Sequence, residues 1–140
     1  MSIPASDLDL DPNPYPVGEL ALQTIPLLAD TNQHGLIHGG WLASQMDMAA
    51  SIASTKVARG KVATVAIEYI SFLSPIQLGV VVGCYTKVRG VGRSSVRVEV
   101  EAWVNEVTTT SEWVKVAVGC FVFVAVDDNG RTRAIPKNRD

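Results

Sequence analysis

A chain of 140 residues, 47% hydrophobic and 19% charged, suffices for one packed domain, falls short of two, and is too apolar to stay unfolded. A formal net charge of -2 gives no overall attraction to nucleic acid or to an anionic membrane, so any anion site must be local. From Met1 to Thr55 there are six acids and no Lys or Arg, which leaves no basic region for a secretory leader, and no apolar run approaches the ~18 residues that span a bilayer. A cytosolic protein is expected.

In chain order, Pro4, Pro12, Pro14 and Pro16 block helix and central strand, so residues 1–17 read as a flexible tail. Gly18 to Ala29 is apolar with Pro26 near its end, which fits a first strand at an edge. Asp30 to Gly40, DTNQHGLIHGG, is a glycine-rich loop. Trp41 to about Ala58 is Ala- and Met-rich, lacks Gly and Pro, and stops before Gly60; it predicts a helix that is apolar nearly all round and therefore central. Ser44, Asp47, Ser51 and Ser54 recur on it at three- and four-residue steps and form one polar row.

After Gly60 the sequence becomes β-branched and alternating. Strands are predicted near Val62–Phe72, Gly79–Val88, Ser94–Val107 and Glu112–Val126, separated by Ser74-Pro75, by Gly90-Val91-Gly92 and by the Thr108–Ser111 cluster. Gaps this short favour antiparallel neighbours. The domain then runs over 18–128, with 129–140 as a basic tail. Cys84 and Cys120 both lie within strand-like sequence and read as free, packed thiols. One strand, one long helix and four more antiparallel strands make an α+β domain, a curved five-stranded sheet around a single central helix, which is the hot-dog arrangement. Its open edge strands predict a homodimer that continues the sheet.

A carboxylate on an apolar helix is costly unless it is paired, hydrated or used, so Asp47 is either held by Ser44, Ser51 or a partner chain, or is catalytic. The segments GLIHGGWLASQMDMAASIAS, VATVAIEYISFLSPIQLGVVVGCY, VGRSSVRVEVEAWV and VAVDDNGRTRAIP, in this order with DTNQHG ahead of them, cover most of Asp30 to Pro136. Together they resemble the hot-dog acyl-CoA thioesterases, in particular the small bacterial broad-specificity acyl-CoA thioester hydrolases of the YciA type. The resemblance implies hydrolysis of acyl-CoA to CoA and carboxylate, with Asp47 as general base or nucleophile. Gly39 and Gly40, at the helix start, would polarise the thioester carbonyl through backbone N–H groups.

Asp47 lies seven residues beyond Gly40, ~10 Å along a helix, too far for both to reach one carbon. The resemblance resolves this with a site shared across a dimer interface, and implies a trimer of dimers. It also assigns CoA binding to Gly92, Arg93, Ser94 and Ser95; read alone, the same turn is an ordinary hairpin with solvated basic residues, among which Lys87 and Arg89 precede it. Arg131, Arg133 and Lys137 read as a solvated tail with phosphate contact as the alternative. His38 is a catalytic candidate as acid/base, the other reading being a loop-shaping residue, and His34 reads as exposed.

Neither a metal site nor a resident cofactor is expected, since CoA belongs to the substrate and no third ligand stands at metal-like spacing. Relatives often carry Asp or Asn where Leu36 stands, with Asn32 as the available substitute. Two rivals are a hot-dog enoyl-CoA hydratase or dehydratase using His38 with Asp47, and a catalytically silent acyl-CoA-binding oligomer. The sequence leaves the acyl preference open.

Overall fold

The computed structural model describes residues 15–106 and 112–137. Most of the proline-rich tail and the Thr108–Ser111 cluster therefore lie outside the described residues. The elements follow the predicted order: β1 (Glu19–Thr24), a 3-10 turn (Leu28–Asp30), α1 (Gly39–Ala58), β2 (Val62–Phe72), β3 (Val80–Val91), β4 (Ser95–Glu106) and β5 (Val114–Ala125). Every strand pair is antiparallel and the sheet order is β1-β3-β4-β5-β2. This is the predicted α+β, five-stranded hot-dog sheet with one long helix.

Alternation sorts the side chains of β4. Val96, Val98, Val100 and Ala102 are fully buried toward α1, while Arg97, Glu99 and Glu101 stand on the opposite face. Phe121 and Phe123 of β5 and Val82 and Cys84 of β3 complete the inner layer. Onto it α1 lays Leu42, Met46, Ala49, Ala50 and Ala58, of which the three alanines are small enough to let the helix axis come close to the sheet. Their burial removes apolar area from water at roughly 25 cal/mol per Å².

Two expectations about α1 change. It is buried on one side only within a single chain: Met48 and Ile52, one helical turn apart, are among the exposed apolar residues. A sheet of five strands wraps only part of a helix, so an apolar circumference remains partly uncovered. The polar row is also not a single environment, because Ser44 is exposed, Asp47 and Ser51 are half-buried, and Ser54 is fully buried with a hydroxyl that has no hydrogen-bond partner. Steps of three and four residues drift around a helix of 3.6 residues per turn.

The reading of 129–140 as a basic tail is amended for its first half. Asp127 folds a turn by accepting from the N–H groups of Asn129 and Arg131, and the chain then returns to the sheet. Ile135 is buried in the core and its N–H donates to Arg93 O at 2.7 Å. Arg133 is half-buried; its Nε donates to Val126 O and its Nη2 to Ala58 O, both at 3.0 Å. Residues 131–137 thus form a strap across one end of the domain.

Candidate active site

The loop before α1 is shaped by backbone bonds and one side chain. Asn32 Oδ1 accepts from the N–H groups of His34 (2.8 Å) and Leu36 (3.1 Å), and Asn32 N–H donates to Leu36 O at 2.7 Å. Gly35, at φ 79°, supplies the left-handed turn residue. Two further bonds fix where the helix begins: Ile37 N–H to Ile76 O and His38 N–H to Asp30 O, both 2.9 Å. Asn32 is therefore committed to holding the loop, which is a different task from the one Leu36 leaves vacant.

His38 is the N-cap residue, and its side chain makes no capping bond. The first helical bond runs from Leu42 N–H to His38 O at 3.3 Å. Consequently the N–H groups of Gly39, Gly40 and Trp41 precede the helical ladder and point out of the positive end of the helix. A pocket of about 270 Å³ opens beside this end, lined by His38, Gly39, Leu42, Phe72, Leu73 and Ile76 among others. A methyl added at Gly39 would touch the Phe72 ring at 3.4 Å, whereas one added at Gly40 would meet nothing within 4 Å. Gly40 has neither a positive φ nor a steric neighbour to require it, although glycine costs a helix about 1 kcal/mol relative to alanine. The chain by itself gives no reason for glycine there; an approaching ligand or partner would.

Asp47 stands further along α1 and does not line that pocket. Its Oδ1 accepts a hydrogen bond of 2.9 Å from Thr64 Oγ1 on β2. Thr64 went unremarked in the sequence, where a threonine in a β-branched run looks like any other strand residue. Neither Ser44 nor Ser51 takes the role of holding the carboxylate that the sequence offered them. A single chain thus joins Asp47 to Thr64, and leaves Gly39, Gly40 and His38 at the helix start, a separation of ~10 Å along the axis. His38 and Asp47 do not meet as an acid/base pair within one chain.

β2 lies at the end of the sheet, hydrogen-bonded to β5 alone, so one row of its backbone groups is unpaired. Val65, Ile67 and Tyr69 on this strand are 56%, 48% and 46% exposed, although apolar residues occupy both of its faces. Such a rim, next to Thr64 and Asp47, is incomplete as the surface of an isolated chain.

The β3–β4 turn is tight at the other end of the domain. Gly92 N–H donates to Ser95 O at 2.8 Å, and a Cβ on Gly92 would fall 2.7 Å from Ser95 Oγ, so any larger residue there would make the Ser95 hydroxyl turn away. Ser94 O accepts from Ala125 N–H and Arg93 O from Ile135 N–H, which leaves the Arg93 side chain exposed on a fixed backbone. Arg89 is engaged elsewhere, 2.7 Å from the Glu99 carboxylate, whose hydrogen bond and charge hold the guanidinium pKa above its usual value. His34 is exposed, as expected.

Both cysteines are free thiols. Burial pushes Cys84 up to about 12, and burial together with a 3.2 Å hydrogen bond to Glu68 pushes Cys120 up to about 11. Neither is a nucleophile near neutral pH.

The family described as the thioesterase superfamily matches residues 34–111. The chain is 46% identical, over 88% of its length and 81% of the relative's, to an uncharacterized acyl-CoA thioester hydrolase of Haemophilus influenzae. It is 42% identical to acyl-CoA thioester hydrolase YciA of Escherichia coli, over 86% of this chain and 93% of that one. Among solved structures, one crystallised with an aspartate replaced by alanine, a hexameric broad specificity acyl-coenzyme A thioesterase, superposes with a TM-score of 0.84 at 45% identity, covering 87% of this chain and 89% of its own. A hexameric thioesterase from Yersinia pestis superposes at 0.83 with 40% identity, over 89% of this chain and all (100%) of the other.

Proposed function

The chain belongs to the thioesterase superfamily, and from that premise we propose that it hydrolyses acyl-CoA thioesters to CoA and carboxylic acid. The observation that carries this reading is the pairing of a half-buried carboxylate, oriented by Thr64, with a helix start whose N–H groups lie open beside a pocket. These are the two halves that thioester hydrolysis requires: a group to deliver the attacking oxygen, and donors for the charge that develops on the carbonyl oxygen.

In one chain the halves are apart, so the site is assembled by two chains. Joined along β2, a homodimer would set Asp47 of one subunit opposite Gly39 and Gly40 of the other, and three such dimers would make the hexamer that the related structures form. Asp47 either removes a proton from water as it attacks, or attacks the carbonyl itself to give an anhydride that water opens. In both routes a C–O bond forms, the C–S bond breaks, and the CoA thiolate takes up a proton. No resident cofactor enters either route. Gly92, Arg93, Ser94 and Ser95 hold the CoA. His38 shapes the helix entrance, since its backbone and not its side chain is engaged there.

Among the described residues no helix is long and apolar enough to cross a membrane. We place the reaction in the cytoplasm, where acyl-CoA is available. The rival hydratase would use His38 and Asp47 across the same interface, and it is distinguished by adding water to an enoyl-CoA without releasing thiol. The test is thiol release from short, medium, long and aryl acyl-CoAs, with Asp47→Ala beside the wild type. Release that disappears in the variant is expected; turnover by a folded Asp47→Ala at the wild-type rate would overturn the assignment, and CoA binding without any turnover would favour the silent binder.

A further inference from the structure

The edge strand β2 is longer than the stretch of β5 it pairs with. Thr64 to Phe72 on β2 lies opposite Phe123 to Ala117 on β5, nine residues against seven, because the register slips between Thr64 and Ala66 and again between Ile67 and Tyr69. Val65 and Glu68 are thus the extra residues of two β-bulges, and each bulge inverts the alternation of faces along the strand. Thr64 is opposite Phe123, Ile67 opposite Phe121 and Ile70 opposite Gly119, so all three face α1, whereas Tyr69 is opposite Cys120 and faces outward with Glu99.

Unbroken alternation from Thr64 would put Glu68 on the inner face. That position is midway between the two halves of the proposed site: Thr64 bonds Asp47 at one end of the stretch, and the Phe72 ring lies beside Gly39 at the other. A second carboxylate there would oppose the negative charge that develops on a substrate carbonyl. The double bulge takes Glu68 to the outer face while leaving Thr64 and Phe72 both inward.

On the outer face Glu68 is held by two other strands. Its Oε2 is 3.1 Å from Arg97 Nη2 on β4, and its Oε1 accepts from the Cys120 thiol on β5 at 3.2 Å. Burial keeps that thiol protonated at neutral pH, so it is available as a donor. The neighbouring Glu99 is taken by Arg89 at 2.7 Å, which leaves Arg97 to Glu68. Gly119 lets β5 close on the second bulge, since a Cβ there would fall 3.0 Å from Tyr69 O. A half-exposed ion pair adds little to stability; one that spans three strands sets their geometry.

We propose that Glu68 is a positioning residue for the reaction. Tied to Arg97 and Cys120, it fixes the double bulge, and the double bulge fixes the direction in which Thr64 presents its hydroxyl to Asp47. The proposal rests on the acyl-CoA hydrolase reading and adds to it a residue on the far side of the sheet from Asp47.

Two measurements on the assembled protein test it. In the first, thiol release from one acyl-CoA is followed for Glu68→Ala, Thr64→Val and the two combined. Glu68→Ala is expected to lower kcat about tenfold with KM little changed, and the Thr64→Val background should erase that difference, since Glu68 acts through Thr64. Glu68→Gln, which keeps an acceptor for Arg97 and Cys120, should recover most of the rate. In the second, the methyl resonance of Thr64 is compared in methyl-labelled wild type, Asp47→Asn and Glu68→Ala; both variants should move it in the same direction. If Glu68→Ala fails to fold or to assemble, Arg97→Met withdraws the ion pair from β4 without altering β2 and carries both expectations. An unchanged kcat, a loss that persists in the Thr64→Val background, or an unmoved Thr64 methyl in a folded variant would each overturn the positioning role. A wild type that releases no thiol from any acyl-CoA would overturn the hydrolase reading, and the Thr64 methyl would then decide the coupling of Glu68 to Asp47 by itself.

Discussion

The hydroxyl of Thr64, on the outermost strand of the sheet, donates to the carboxylate of Asp47, on the central helix, across 2.9 Å. This bond fixes one oxygen of Asp47 and leaves the other to act. Thr64→Val removes the donor at nearly constant volume, and kcat is expected to fall roughly 10- to 100-fold, the loss of one hydrogen bond to a charged group. Thr64→Ser should restore most of it. Asp47→Asn should cost more, on the order of 10²- to 10⁴-fold, if the carboxylate is the proposed base or nucleophile. Steady-state kinetics on one acyl-CoA compares all three; a Thr64→Val enzyme with unchanged kcat would remove Thr64 from the site.

The two glycines at the helix start separate stability from activity. Gly40→Ala meets no atom within 4 Å in the chain and should stabilise the helix by about 1 kcal/mol. If a substrate carbonyl approaches that N–H, the same methyl obstructs it and kcat/KM falls. Gly39→Ala instead sets its methyl in van der Waals contact with the Phe72 ring at 3.4 Å, so it adds a contact at the pocket that Gly40→Ala does not. Denaturant melts and kinetics on the two variants, measured together, reveal which glycine serves the chain and which the substrate.

Ile67→Lys places a charge on the exposed rim of β2, a substitution expected to leave the fold of one chain within about 0.5 kcal/mol of wild type. Light scattering should show a smaller particle, and turnover should drop with it. A variant that stays fully assembled would show that β2 is not the joining strand.

Both thiols sit above their ordinary pKa, Cys84 near 12 and Cys120 near 11, with burial as the leading cause. Thiol reagents should therefore react slowly at neutral pH and rapidly once the protein is unfolded. A thiol whose folded pKa is raised contributes stability that is fully present below its unfolded value of 9.0 and is lost as pH rises toward the folded value. Melting temperature should accordingly decline above about pH 9, and Cys84→Ala should flatten that decline while lowering the plateau through the cavity it leaves.

Ser54 carries a hydroxyl sealed in the core with no partner. Ser54→Ala removes an uncompensated buried dipole and improves helix propensity, so stability should rise by about 1 kcal/mol in a urea titration. A loss of stability would mean that the hydroxyl has a partner in the assembled protein.

The order and type of the elements were legible because each period reports a buried face. Alternation in Val96 to Ala102 could only be a half-wet strand, and the Gly-free, Pro-free run before Gly60 could only be a helix. The helix start was legible only to within two residues: Gly39 and Gly40 read as the end of the loop, with the helix from Trp41, whereas both glycines lie in its first turn. What was not legible depends on long-range contacts that leave no periodic trace. Thr64 is seventeen residues from Asp47 and nothing local marks it. Arg133 was read as solvated because it lies among Arg131, Lys137 and turn formers. The signal lay in Ile135, an apolar residue in a basic stretch, which is buried and draws the whole segment onto the domain. The exposed Met48 and Ile52 show the converse: composition marks a residue as buried without saying which chain buries it.

β2 is both the rim of the sheet and the strand that holds Asp47. The orientation of the Asp47 carboxylate is thereby tied to whatever docks along that rim, and in a chain alone in solution the strand that carries Thr64 has one edge unpaired. Specific activity should then depend on protein concentration, falling on dilution below the point where subunits part. Expression level would then itself act as a control, silencing scarce chains and switching on abundant ones together.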